Sequence, residues 1–429
     1  MKFQSRFKIK FVLTQFGIIL IFFSLILAIV GYLSQSNLIY LLSSGLISLV
    51  VVDFIFSIFA VKGVRIMRFC PGHASRGKEF TIKLRIESKS STRYLLQITD
   101  GSFAPNLPGE KLPLISKLAQ GQHIFQSYKK TIKARGIHTI NNCVVESLFP
   151  LGIWKAQKTY PLRSEIIVYP EFFEAPQFNI SYRGIRTEFA NTTSSRPGTG
   201  GDFFDIREYQ PGDSLKHIHW RATARVGKLM VKQLEKYTLS NLSIILDNSK
   251  ELILGLGEES NFEYAIKTAA TIANRALSTR YHVKFIYYDH LSNQIKSLKV
   301  YGIMTPILDI LARIEPSENI NLEKLIDKAE GEIDKESVAV FLLLTLSKEA
   351  TSRIVTLTQK GIECVLILFN PRSFAAVIDP KVAKFYRIFS ELMAQEAYFL
   401  SGRGIRIYMV NQGESISQAL SRPYMLVNI

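Results

Sequence analysis

Cysteine is scarce in this chain, with only Cys70, Cys143 and Cys364 among 429 residues. They lie far apart, form no CxxC pair and are odd in number, so there is no disulfide framework to read. The pattern suits a reducing compartment and buried, inert thiols. A phosphate-cradling GxxxxGK[ST] loop is also missing, because Gly227-Lys228 is followed by Leu229 and Gly77-Lys78 by Glu79. The chain is therefore not expected to be an ATPase. Charge is absent altogether between Phe11 and Leu33.

That uncharged run is long enough to cross a hydrocarbon core of about 30 Å as a helix. A second apolar run covers Leu38 to Val61 after a short polar link at 34–37, so an antiparallel hairpin in the bilayer is expected. Lys2, Arg6, Lys8 and Lys10 precede it, Lys62, Arg65 and Arg68 follow it, and the link carries no basic residue. The positive-inside rule then puts both flanks, and all that follows, in the cytoplasm beneath the inner membrane. The first run is too long for a signal-peptide h-region, and no small-x-small cleavage site follows it. Asp53 lies inside the second run; it is expected near the cytoplasmic end, protonated or reaching interfacial water, and helping the helices pack.

Basic residues outnumber acidic ones by 53 to 36, a formal net charge of +17. Nucleic acid is one reading of such a balance. Part of the excess flanks the membrane runs and the rest is interleaved with acids, so anionic inner-leaflet lipid is the expected partner and nucleic acid is not.

A length of 429 residues implies two or three domains. Residues 1–10 read as a cytoplasmic N-terminus, and 11–33 and 38–61 as transmembrane helices. Residues 63–160 read as a β-rich, sandwich-like module, since Phe80, Ile82, Leu84 and Ile86 alternate with polar neighbours and similar short strands follow. Residues 162–236 are less regular, and the Gly/Ser density at 194–201 marks a loop. From 237 to 429 apolar strands at 242–247, 282–289, 338–345, 362–369 and 405–410 alternate with amphipathic helices. Such alternation predicts a mostly parallel, doubly wound α/β sheet with ligands collecting at the carboxyl ends of its strands.

Between the two folded parts runs REYQPGDSLKHIHWRATARVGKLMVKQLE, residues 207–235. Its Arg207, Tyr209, Gly212, Asp213, Ile218, Trp220, Ala224, Arg225, Leu229, Val231, Lys232 and Glu235, followed by the strand ending ILDNSKE, resemble the domain of unknown function 58 family. That resemblance implies a bacterial protein with two N-terminal membrane helices, a β-rich region, this motif and a von Willebrand factor type A-like domain. It further implies partnership with a MoxR-type AAA+ ATPase, with transglutaminase-like membrane proteins as further candidates, in chaperone-like maturation or assembly. No enzymatic reaction comes with it.

A metal-ion-dependent adhesion site on such a domain needs an Asp-x-Ser-x-Ser turn and a carboxylate after the fourth strand. Here Asp247 and Ser249 are followed by Glu251, and Leu346 stands where the later carboxylate is needed. No metal or other cofactor is expected. Within the motif, Pro211, Gly212 and Asp213 make a turn. His217 and His219 would share a face if extended, without a third ligand. Three readings compete: a structural network of Arg207, Asp213, Arg225 and Glu235 with Trp220 as anchor; docking of a protein or anion by Arg221, Arg225, Lys228 and Lys232; and hydrolysis of a phosphorylated or membrane substrate through Asp213, His217 and His219. The expectation is a non-enzymatic adaptor that docks its partner through Arg207, Tyr209, Gly212, Asp213, His219, Trp220, Arg221, Arg225, Lys232 and Glu235. A structural, lipid-associated protein is the remaining alternative.

Overall fold

The computed structural model describes residues 9–103, 108–178, 180, 194–211, 213–236, 241–250, 253–334 and 337–424. They fall into two compact units, Met1–Tyr169 and Pro170–Ile429.

The first unit runs β1 (Lys10–Leu13), α1 (Gln15–Ser34), α2 (Asn37–Ala60), β2 (Val64–Phe69), β3 (His73–Ser75), β4 (Glu79–Ser88), β5 (Arg93–Asp100), β6 (Glu110–Lys111), β7 (Ile115–Leu118), β8 (His123–Thr131), β9 (Gly136–Ser147) and β10 (Trp154–Tyr169). Both helices are long and apolar enough to cross a membrane. Their apolar side chains face outward, with Ile19 66% and Leu41 68% exposed, whereas a soluble core helix would cover them. Small or polar residues meet between the helices instead, Ser24 and Gly31 of α1 facing Ser43 and Ile39 of α2, while Gly17 and Ser57 face the turn at 149–153. The Ser43 hydroxyl donates to the Ser24 carbonyl at 3.0 Å. Close approach through small residues and interhelical polar bonds is how helices pair where water supplies no driving force.

Phe11–Leu13, expected in the first span, belong instead to a strand that pairs antiparallel with β10. Thr14 ends that strand and caps α1, its hydroxyl accepting from Gly17 N at 3.1 Å and donating to Gly152 O at 2.7 Å. Asp53 is also placed differently from expectation. It is fully buried, and its carboxylate accepts the backbone N–H groups of Leu151 at 2.8 Å and Trp154 at 2.7 Å. Helix α2 is thus bonded to the turn before β10, and Phe54 packs edge-on to Trp154 there.

Among the described residues, β1-β10-β9-β5-β6 form one sheet, with β3 on β10 and β7 on β5, and β2-β4-β8 form another. The alternation expected in β4 holds, since Ile82, Leu84 and Ile86 are fully buried. Leu84 and Ile86 share a core with Leu96, Ile98, Cys143 and Val145 of the larger sheet. Arg68, counted above among membrane-flanking bases, is buried against Asp100 as an ion pair between the two sheets. Tyr128 adds a 2.8 Å hydrogen bond to the same carboxylate. The boundary placed after residue 160 falls inside β10, where Pro161 occupies a register shift rather than a strand end.

The second unit contains β11 (Ser194–Glu208), α3 (Trp220–Val226), β12 (Met230–Lys236), β13 (Asn241–Leu246), α4 (Asn261–Ser278), β14 (His282–Asp289), β15 (Gln294–Val300), α5 (Thr305–Arg313), α6 (Leu322–Glu332), β16 (Val338–Leu343), α7 (Lys348–Gln359), β17 (Glu363–Phe369), α8 (Pro371–Ala375), α9 (Pro380–Gly402) and β18 (Arg406–Val410). The Gly/Ser-rich loop expected at 194–201 is part of β11, and its glycine and proline appear as register shifts against β12. The main sheet has the order β15-β14-β13-β16-β17-β18. All its pairings are parallel except β14 with β15. Residues 242–246 and 338–343 are buried without alternation, as in a parallel sheet covered on both faces. Connections diverge on either side of β13, which places a topological switch point between β13 and β16. The edge strand β15 and helices α5 and α6 were not expected; QIKSLKV carries two lysines that blunt its apolar signal and suit an exposed edge.

Candidate functional site

The motif folds as a two-stranded platform carrying one short helix. Register pairs Ile206, Arg207 and Glu208 of β11 with Lys232, Val231 and Met230 of β12. Tyr209 N then donates to Leu229 O at 2.8 Å, and His219 N to Met230 O at 2.8 Å. The chain between them makes the expected turn, Asp213 N donating to Gln210 O at 3.0 Å. Gly212 lies outside the described residues.

Arg207 and Asp213 form a bidentate pair, Nη1 to Oδ2 at 2.7 Å and Nη2 to Oδ1 at 2.6 Å. Gln210 N donates to the same carboxylate at 2.8 Å. Arg207 first, and this backbone donor second, hold the Asp213 carboxyl below its ordinary range. The planar guanidinium fork gives the pair its fixed orientation, so it closes the turn onto β11.

His217 ends a 3₁₀ turn at Leu215–His217, while His219 is the N-cap of α3. The two imidazoles do not lie along one extended strand. Nδ1 of His219 accepts from Ala222 N at 3.0 Å, which commits that nitrogen to capping. At the other end, Gly227 takes the left-handed conformation (φ 72°) that terminates the helix. Thr223 accepts from Met230 N at 3.0 Å, tying α3 to β12.

Of the expected four-residue network, the described residues include the Arg207–Asp213 half. Arg225 is exposed and has no ion pair among the described residues, and the side chain of Glu235 lies outside them. Trp220 is no anchor either, being 68% exposed. Arg221 and Lys232 are exposed as well, and Lys228 reaches Glu208 at 3.2 Å. The helix therefore displays Trp220, Arg221 and Arg225 outward from a backbone fixed at both ends.

Asp247 ends the first strand of the parallel sheet and is fully buried; burial pushes its carboxyl up, against three donors that pull it down. Ser249 N at 3.0 Å and Ser249 Oγ at 2.7 Å bond Oδ1, and Leu344 N at 3.2 Å bonds Oδ2. Leu346 is buried, and Glu251 lies outside the described residues. Among the described residues, the Ser249 hydroxyl is turned into Asp247, and these two side chains alone fall short of the six oxygens a hard divalent ion needs. Among the described residues no group of three or more His, Cys, Asp or Glu is gathered to hold a metal.

Sequence reasoning missed Asn248, which is fully buried. Its Nδ2 donates to Tyr288 O at 2.9 Å and Glu315 O at 3.1 Å, locking the carboxyl ends of β13 and β14. A lone Asn after a strand carries no signal that separates such a clamp from an ordinary turn. Two of the three thiols match expectation: burial pushes Cys143 and Cys364 up to about 12, away from the thiolate range that reactivity needs, whereas Cys70 is only half-buried.

The geometry defines a protein with two long apolar N-terminal helices and a platform that presents a short aromatic and basic helix. Residues 205–367, which span the whole motif and the sheet from β13 into β17, match the family described as protein of unknown function DUF58. Over 151 residues, 35% of the chain, it is 23% identical to the uncharacterized protein YeaD of Bacillus subtilis (strain 168). The chain covers 36% of that relative's length. Similar solved structures include a CARDB domain from Pyrococcus furiosus (TM-score 0.18, 10% identity, 25% of this chain and 94% of that one). Another is a superoxide reductase (neelaredoxin) from Ignicoccus hospitalis (TM-score 0.16, 11% identity, 24% of this chain and 79% of that one). Likenesses this slight carry no argument.

Proposed function

We propose that the chain is a non-enzymatic, membrane-anchored adaptor of a MoxR-type AAA+ ATPase, acting in protein maturation or envelope assembly. In this reading the two apolar helices span the inner membrane, both units lie in the cytoplasm, and the parallel sheet is a von Willebrand factor type A-like domain without its metal. A transglutaminase-like membrane protein is a possible further partner, and nucleic acid is not one.

The observation that carries the reading is Trp220, 68% exposed on a helix whose two ends are fixed. Trp and Arg dominate the energetics of protein interfaces, and a pre-ordered helix loses little entropy on docking. The same bonds weigh against the hydrolase reading, because Asp213 is committed to Arg207 and one His219 nitrogen to the cap. Copurification of the full chain with the ATPase tests it. Trp220→Ala and Arg225→Ala, both at exposed positions, should abolish capture while leaving thermal unfolding unchanged; capture unaffected by both would overturn the role of the motif.

A further inference from the structure

Helix α9 turns one face into the second unit and leaves another uncovered. Ala383, Met393, Ala397 and Leu400 are buried. On the outer face Phe385 is 65% exposed, Ile388 63%, Leu392 48% and Phe399 47%. These four recur at steps of three, four and seven residues, so they form a single apolar stripe along the helix. Scattered exposed apolar residues need no explanation, but an aligned row of this kind marks a contact surface.

The charges in line with the stripe decide what can cover it. Lys381 continues it at one end and Arg403 at the other, the Arg403 guanidinium lying 4.3 Å from the centre of the Phe399 ring. Leu392 stands midway between them. A second copy of α9 packed antiparallel about Leu392 would set Lys381 beside Arg403, and a parallel copy would set each cation beside its own mate. Either pairing opposes like charges at both ends of an apolar seam. An anionic lipid surface satisfies both ends at once, because long basic side chains reach up to phosphates while Phe, Ile and Leu enter the acyl boundary. Lys384 adds a further exposed cation, whereas Arg387 is paired with Glu391. Glu396, half-buried, is the one acid along the stripe.

We propose that α9 lies on an anionic phospholipid surface, with Phe385, Ile388, Leu392 and Phe399 in the acyl boundary and Lys381 and Arg403 at the headgroups. The proposal rests on the membrane anchoring proposed above, since two spans in the same polypeptide keep lipid at high effective concentration around the second unit. It does not depend on the ATPase.

The test uses the full chain in nanodiscs of phosphatidylcholine, with or without phosphatidylglycerol, in a Cys70→Ser background. A fluorophore on Ile388→Cys should be quenched by lipids brominated in the acyl chain, several-fold more strongly with phosphatidylglycerol present and less at high salt. The same fluorophore on Lys328→Cys of α6, also exposed, should stay unquenched. No quenching at 388 in either lipid overturns the proposal, as does a shielded, unquenched label on a particle holding two chains or a bound soluble protein. Equal quenching in both lipids overturns the anionic assignment. A chain that fails to enter nanodiscs overturns the anchor, whereas the outcomes above leave the anchor standing.

Discussion

Asp53 of helix α2 and Trp154 at the start of β10 are joined by a 2.7 Å hydrogen bond from the Trp154 backbone N–H to the buried carboxylate. A second N–H, from Leu151, reaches the other oxygen at 2.8 Å. The acid that looks misplaced in an apolar helix is the acceptor for a turn that would otherwise bury two unpaired donors. It couples the helix pair to the β-rich module by chemistry rather than by chain connection alone.

Removing that acceptor should loosen the joint. Asp53→Ala is expected to destabilise the first unit by about 1–3 kcal/mol, the cost of leaving buried donors unmet. Amide exchange of residues 149–154 in detergent should rise while β4 and β8 stay protected. Gly17→Ala should act at the same place, because its Cβ would stand 2.5 Å from the Ile153 carbonyl oxygen, which is backbone and cannot turn aside.

The Arg68–Asp100 pair, with Tyr128, links the two sheets of the module. Arg68→Met should lower stability by about 3–5 kcal/mol, since it strands a buried carboxylate. Arg68→Met combined with Asp100→Leu should recover much of that loss, and Tyr128→Phe alone should cost only about 1 kcal/mol. Chemical denaturation of the three variants beside the parent chain measures all three expectations.

The Arg207–Asp213 pair sets a pH dependence on the motif. Asp213 is held below its ordinary value in the folded chain, chiefly by Arg207. Its contribution is therefore fully present above the unfolded carboxylate pKa of about 4 and is lost as pH falls through the lower folded value. Protection of the Tyr209 and Asp213 amides, exchange being measured against the intrinsic rate at each pH, should fall at acid pH in the native chain. In Asp213→Asn that protection should be low already at neutral pH and change little on acidification.

Thr223 and His219 fix α3 to its platform, while Trp220 is free. Thr223→Val and His219→Ala should each cost about 1 kcal/mol locally, read as faster exchange at Ala222 and Met230. Trp220→Ala should leave those amides unchanged. A stability loss in the tryptophan variant comparable to the other two would show that it supports the fold.

Much of the architecture was legible because it follows from periodicity. The uncharged runs, the alternating β4 and the unbroken apolar strands of the parallel sheet are local patterns that burial alone writes into a sequence. What escaped were relationships set by partners distant along the chain. Phe11–Leu13 read as membrane because a strand on β10 and the end of a span are equally apolar. Arg68 read as a membrane-flanking base because Asp100 is 32 residues away. In the motif the turn and the Asp213 pairing could be anticipated from Arg207 and Pro211, but not that Trp220 points outward, since an indole in a sequence looks the same on either side of a surface.

The central claim, that α3 meets a partner ATPase at the membrane, is tested most directly by a photoreactive phenylalanine in place of Trp220 in intact membranes. The account predicts one dominant crosslinked product that contains a MoxR-type ATPase, formed at position 220 and not at Lys328 on α6. Crosslinks absent at 220, or equally strong from both positions, would contradict it.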